Sequence, residues 1–447
     1  MAEAALDAIT VGLVSLGCAK NTVDSELMLG MLSARGYIVT NDPAEAEVII
    51  VNTCTFIEDA TRESIETILE MSRYKQNGRC RALILAGCMA TRYSTQLQQE
   101  LPEVDAIIGT GELPSIVEAV EKALAGETYL AASSSPAFIY DETAARLLTT
   151  NHNLAYVKIA EGCDHRCAYC IIPSIRGKYR SRSIGSITEE VRQLVVAGRK
   201  EIVLLAQDTT RYGLDIYGNR SLAQLLEALV QVEGLKWLRF LYGHPDGITT
   251  QLLQVMAAYP QICKYIDIPL QHASANVLRR MGRGGDAKQL LELVDRVRQV
   301  IPDVTLRTTF IVGYPGESDE DFAQLCSFIE QAEFNHVGIF TYSKEEGTPA
   351  ALLAGQVSGK VKQKRRQVAM ELQRRISRRH NERLVGTCQE VVVETATNDG
   401  GWVARCASQA PEVDGVTYVY GAQLHPGDFI QARIVQAQDY DLIGEQA

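Results

Sequence analysis

Three β-branched apolar runs, TVGLVSLGC ending at Cys18, VIIVNTCTF passing Cys54 and ALILAGCMA passing Cys88, alternate with helical stretches such as DSELMLGMLSARG and ATRESIETILEMSRY. Runs that are apolar on both faces suit parallel strands covered by helices, whereas half-exposed strands alternate apolar with polar residues. The three cysteines recur at the spacing of a βαβ unit. An open parallel sheet follows, and such sheets bind ligands just beyond the carboxyl ends of their strands.

At 447 residues the chain is too long for one ordinary domain. The small, polar stretch AASSSPAF, residues 131–138, reads as a linker, and we place the domains at 1–145, 146–378 and 379–447. From Ala155 a second series of strands begins: AYVKIAEG, EIVLLAQD, WLRFLYGHP, YIDIPLQ, TLRTTFIVGYP and HVGIFTYS, most of them separated by helical stretches. Six βα units build a partial (β/α)6, TIM-like barrel, whose active site belongs at the carboxyl ends of the strands. A run of cysteines, Gln207, His244, Gln271 and Gly313 all fall there. Residues 360–383 then hold ten Lys/Arg against two Glu, a helix whose charges serve as a solvated face or, in a sharper reading, as phosphate contacts. From about Val385 short strands split by turns make a small all-β module, with DFIQARIVQAQDYDLIGE read as its last strand. The fold class is therefore α/β, with a closing β module.

The charge of −11 argues against a surface that clings to nucleic acid throughout. No apolar run has membrane-spanning length, and MAEAALDAIT lacks the basic and apolar regions of a signal peptide, so we expect a cytoplasmic protein. That compartment keeps thiols reduced, which turns clustered cysteines toward metals or catalysis. Of the eleven cysteines, Cys80, Cys263, Cys326, Cys388 and Cys406 are scattered and read as small buried apolar residues.

The cluster that demands chemistry is EGCDHRCAYCIIPSIRG, which places Cys163, Cys167 and Cys170 in eight residues. Three thiolates on a four-iron cluster leave one iron open for a small molecule, whereas a zinc site would need a fourth ligand such as His152 or His165. CDHRCAYC resembles the C-x3-C-x2-C signature of radical S-adenosylmethionine enzymes. The resemblance implies that these cysteines hold a 4Fe-4S cluster whose open iron binds the amine and carboxylate of S-adenosylmethionine, and that reduction cleaves the sulfonium to a 5'-deoxyadenosyl radical. It also implies cofactor contacts at Gln207, Asp208, Arg307 and Gly313.

Cys18, Cys54 and Cys88 end three strands of one sheet and so are expected to converge, again three and again with an iron left open. Such a vacancy can carry sulfur, and beside a radical generator it suggests replacement of a C–H bond by a C–S bond. The order of three-cysteine domain, radical domain and TRAM-like β module resembles the methylthiotransferases. SLGCAKNTVDSE, AEGCDHRCAYCIIPSIRG and YIDIPLQHASANVLRRMGRG are similar to the RimO-type branch rather than the tRNA-modifying MiaB-type branch. The resemblance implies two 4Fe-4S clusters, S-adenosylmethionine as methyl donor and radical source, an aspartate of ribosomal protein S-12 as substrate, free or within the small subunit, and flavodoxin or ferredoxin as electron donor. Charge supports a protein substrate independently, because residues 381–447 carry three Lys/Arg against ten Asp/Glu, which suits a basic protein better than phosphates. Lys20, Asn21 and Asp24 are candidates to support the N-terminal cluster, with Asp24 alternatively read as a helix-start residue. Arg176, Arg180 and Arg182 read either as anion ligands or as solvated surface charges.

Overall fold

The computed structural model describes residues 9–133 and 135–447. Ser134 of the expected linker lies outside the described residues, as do residues 1–8, on which the expectation about a leader rests.

The N-terminal sheet has six parallel strands in the order β2-β1-β3-β4-β5-β6: β1 (Thr10–Ser15), β2 (Ile38–Thr40), β3 (Val48–Thr53), β4 (Ala82–Gly87), β5 (Ala106–Gly109) and β6 (Tyr129–Ala131). The three long apolar runs form β1, β3 and β4, which are adjacent, and every residue of β3 and β4 is buried. The other three strands are short additions at either side.

The central domain contains β7 (Leu154–Lys158), the two-residue strands β8 (Ala160–Glu161) and β9 (Arg180–Ser181), then β10 (Glu201–Leu205), β11 (Trp237–Phe240), β12 (Tyr265–Asp267), β13 (Thr305–Val312) and β14 (His336–Thr341). Six of these make two parallel leaves, β11-β10-β7 and β12-β13-β14, joined through a bridge between Leu238 and Ile262. β12, beside this junction, is only three residues long. One face of the strands, including Ile202, Leu204, Phe240 and Leu306, packs on the surrounding helices. The other face presents Tyr156, Val203, Leu205 and Tyr265 to a core shared with Val11, Leu27 and Ile50 of the first domain and with Val392 and Ala410 of the last. The half-barrel is thus filled from both sides by its neighbours.

The terminal module is a closed barrel of β15 (Cys388–Ala396), β16 (Trp402–Cys406), β17 (Thr417–Tyr420), β18 (Phe429–Ala437) and β19 (Leu442–Gln446). The expected single last strand is two antiparallel ones, turned at Gln438–Asp441 by a bond from Gln438 N–H to Asp441 O. Cys388, expected to be buried, is exposed at the start of β15. A buried ion cluster ties this module to the half-barrel. Arg405 donates to Glu201 at 2.6 Å and to Glu394 at 2.7 Å, and Arg239 reaches the same Glu201 at 3.3 Å. Burial opposes ionisation of Glu201, but the two guanidiniums outweigh it and hold its carboxyl below the usual range.

The basic helix, Gly359–Glu382, buries Arg365 on Glu317 and keeps most of its other charges on a solvated face, where Arg374 and Arg378 pair with Asp439 and Arg379 with Glu333. Among the described residues no helix is long and apolar enough to cross a membrane.

Candidate active site between two cysteine triads

Adjacency of β1, β3 and β4 brings three thiols to one end of the sheet. Cys18 is the N-cap of the helix Ala19–Ala34, Cys54 follows the last residue of β3, and Cys88 opens the helix Cys88–Glu100. Close packing here requires glycine. At Gly17, with φ of 91°, a Cβ would lie 2.7 Å from Cys54 Cβ and 2.9 Å from its sulfur. Asn21 holds the turns together, its side-chain amide donating to Leu16 O at 2.9 Å and Thr53 O at 3.1 Å. Two helix N-termini supply partial positive charge to Cys18 and Cys88. Burial opposes ionisation of Cys18, yet Lys20, Arg176 and nearby backbone N–H groups outweigh it and lower its pKa. Burial prevails at Cys54, which is raised, and at Cys88, which is pushed up to about 11 despite Arg176.

The second triad lies on the loop after β8. Cys163 N–H donates to Gly177 O at 3.0 Å, Cys170 N–H to Cys167 O at 3.0 Å, and Ala168 N–H to Met281 O at 2.8 Å. Burial pushes Cys163 up to about 11 and Cys170 up to about 12. At Gly162, with φ of 80°, a Cβ would stand 2.1 Å from Lys178 O. Gly162→Ala combines that collision with an unfavourable backbone and is expected to destabilise the metal-free protein by more than about 1 kcal/mol. Urea unfolding measures this directly, and an unchanged midpoint would contradict it.

All six thiols are free. Among the described residues no group of three or more His, Cys, Asp or Glu side chains is placed to hold a metal ion. Of the two histidines in the zinc alternative, His152 is exposed before β7, at the opposite end of the barrel from Cys163, while His165 is hydrogen-bonded through Nε2 to Asp208 at 2.7 Å and stacked on His244. Soft thiolates, carried on three strand ends in the first triad and on one loop in the second, fit a multi-iron cluster, which gives each sulfur its own iron. The cofactor also has an acceptor waiting. Gln207, just past β10, donates its amide N–H to Glu161 at 2.6 Å, while its side-chain oxygen is buried without a partner, as a ligand's ammonium or hydroxyl would require.

The other expected contacts are already engaged. Asp208 accepts from Thr210 N–H at 3.0 Å and orients His165, whose ring stacks on His244 at 4.4 Å. Arg307 sits third in β13, with its guanidinium taken up by Asp267 at 2.9 Å and Asp414 at 3.5 Å. Gly313 makes room for Lys362, whose Cγ a Cβ would approach to 2.3 Å. The structure therefore brings Gln207 and Asp208 together with the 161–170 loop, and directs Arg307 toward the terminal module and Gly313 toward the basic helix.

Between the triads lies a network that rules out one reading for each of three residues. Asp24 is no helix cap: it sits in the second turn of its helix, buried, accepting from Lys158 and from Arg176 at 3.1 Å. Arg176 and Arg182 are not surface charges. Arg176 is 2% exposed and grips both Glu161 oxygens at 3.1 Å, while Arg182 is buried on Glu190 and Lys158 O. Arg180 donates to the backbone oxygens of Arg176, Lys178 and Phe138. Lys158 and Glu161 were missed, although a lysine inside the apolar run AYVKIAEG was a usable signal, since a buried cation needs partners. Lys20 lies 3.6 Å above the Tyr242 ring. A cavity of about 190 Å3 is lined by Phe56 and Ile57, just after Cys54, and by Tyr169, between Cys167 and Cys170. None of the six cysteines lines it.

Residues 10–109 match the profile of uncharacterized protein family UPF0004, residues 157–329 that of the Radical SAM superfamily, and residues 385–446 that of the TRAM domain. The ribosomal protein uS12 methylthiotransferase RimO of Desulforamulus reducens is 50% identical over 98% of this chain and 99% of its own length. The chain belongs to the RimO methylthiotransferase family. RimO of Geobacter sulfurreducens is 47% identical over 97% of this chain and 98% of its own. Among solved structures, the radical S-adenosylmethionine methyltransferase TsrM from Kitasatospora setae, with tryptophan and a SAM analog bound, superposes with a TM-score of 0.55 at 14% identity, over 87% of this chain and 79% of that one. That likeness shows a shared fold. RimO membership makes the protein a radical S-adenosylmethionine methylthiotransferase, with the parallel sheet, half-barrel and closed β barrel described above.

Proposed function

We propose that the protein methylthiolates the β-carbon of an aspartate in ribosomal protein uS12, with S-adenosylmethionine as methyl donor and radical source. The observation that carries this reading is the pair of cysteine triads joined through Arg176, which ends the helix after Cys170 and lies 3.4 Å from Cys88 Sγ. Cys163, Cys167 and Cys170 would hold one 4Fe-4S cluster and Cys18, Cys54 and Cys88 the other. The work divides among the domains 1–145, 146–378 and 379–447.

When bound, the clusters and cofactor supply electron transfer, the radical and a site for sulfur. The chain's own residues do the placing. Gln207 offers its unpartnered oxygen to the cofactor, Asp208 fixes the His165 ring, and Glu161 fixes the Gln207 amide. Arg307 and Gly313 support the strand and the helix beside it. The shared core that fills the half-barrel excludes water from behind the site. The acidic terminal module favours a basic protein partner. A flavodoxin or ferredoxin would supply electrons, and the reaction would take place in the cytoplasm.

Intact-mass and fragment analysis of uS12 from strains with and without the gene tests this. The expected result is loss of one methylthio group, in exchange for hydrogen, from a single aspartate. Unchanged uS12 together with loss of a methylthio nucleoside from tRNA would overturn it.

A further inference from the structure

We propose that Arg176 is a positioning residue shared by both triads, whose hydrogen bond to the Cys88 sulfur raises the reduction potential of the cluster on Cys18, Cys54 and Cys88. The inference rests on the two-cluster reading above. Arg176 ends the short helix Ile172–Arg176, six residues after Cys170. The next residue, Gly177, has φ of 72° and accepts the Cys163 N–H. The turn that closes the second triad's loop therefore also delivers the guanidinium to the first.

Its two ends face different domains. Nη2 lies 3.4 Å from Cys88 Sγ, 2.6 Å from Asn21 Oδ1 and 3.1 Å from Asp24 Oδ2. Nη1 lies 3.1 Å from each oxygen of Glu161, the carboxylate that also fixes Gln207. The planar fork reaches both carboxylates and the Cys88 sulfur at once from two nitrogens held in fixed geometry. The neighbouring buried cation, Lys158, joins the same Asp24 and Glu161 through its ammonium and has no bond to a cysteine. Lys20 is held over the Tyr242 ring. Reduction adds negative charge to a cluster, so an N–H donor and a positive charge at a ligand sulfur favour the reduced form. Arg176 supplies both to Cys88. Through Glu161 it also ties that sulfur to the group that orients the cofactor-facing glutamine.

The test uses full-length protein with Cys163, Cys167 and Cys170 replaced by alanine, so that only the N-terminal cluster titrates, followed by electron paramagnetic resonance during redox titration. In this background Arg176→Gln is expected to retain iron and shift the midpoint to lower potential, with Arg176→Lys shifting it less in the same direction. Lys158→Met removes an equally buried interdomain cation without touching a cysteine, and is expected to leave the potential near the parent value. The proposal is overturned if the Arg176 variants bind iron at the parent potential, or if Lys158→Met shifts it as far as Arg176→Gln. Should Arg176→Gln not fold, Arg176→Lys against Lys158→Met decides. A parent that binds no iron at all would instead remove the two-cluster reading on which the proposal stands.

Discussion

Cys88→Ala is expected to lower bound iron from about eight atoms per chain to about four, to abolish methylthio transfer, and to leave reductive cleavage of S-adenosylmethionine running. Cys163→Ala should lower iron equally but stop cleavage as well. The asymmetry follows from placement. Cys88 opens a helix on the N-terminal sheet, whereas Cys163 shares its loop with Glu161 and through it with Gln207. Iron analysis, 5'-deoxyadenosine release and mass analysis of substrate separate the three quantities. Cleavage lost in both variants would mean that the triads do not work independently. Full iron retained after Cys88→Ala would show that this cysteine is not a ligand.

Arg405→Met is expected to cost about 3–5 kcal/mol, the scale for breaking a buried ion pair by removing one partner. It would leave Glu394 without its donor and Glu201 dependent on Arg239 alone, in a space walled by two domains. Thermal unfolding followed by circular dichroism reads the loss, and a change of less than 1 kcal/mol would refute it, by the same scale. The pH dependence has a definite sign. Because the Glu201 carboxyl is depressed in the folded protein, its contribution is complete above the ordinary carboxylate range and is lost as pH falls below it. Glu201→Gln should therefore flatten the acid limb of the stability profile relative to the parent.

The strands that carry the site were legible because parallel strands buried on both faces leave continuous apolar runs, as in β3 and β4. The short strands β2, β5 and β6 left too few residues for such a signal. The turn between β18 and β19 was overlooked although Asp439 and Asp441 are turn-favouring residues, because Gln438–Asp441 contains neither glycine nor proline to punctuate the apolar pattern. Among site residues, the cysteines were readable from spacing and strand position. For Asp24 and Arg176 the sequence left two readings open, because what defines them is each other: they are 152 residues apart in sequence and in contact in space. No local pattern encodes such a pairing, and an isolated charge near a helix start looks like a cap. Arg307 likewise gets its partner Asp414 from the last domain.

Closure of the half-barrel by the terminal module has a consequence during synthesis. The residues from β15 to β19 leave the ribosome after the half-barrel and, at about 5–20 residues per second, take roughly 3–12 s to appear. Throughout that interval the six strands of the barrel exist while Trp237, Arg239 and Tyr265 still lack the module that covers them. This is the nascent chain's most association-prone state. A frameshift in the final strands would hold the chain there permanently, yielding an aggregating product rather than a shortened enzyme.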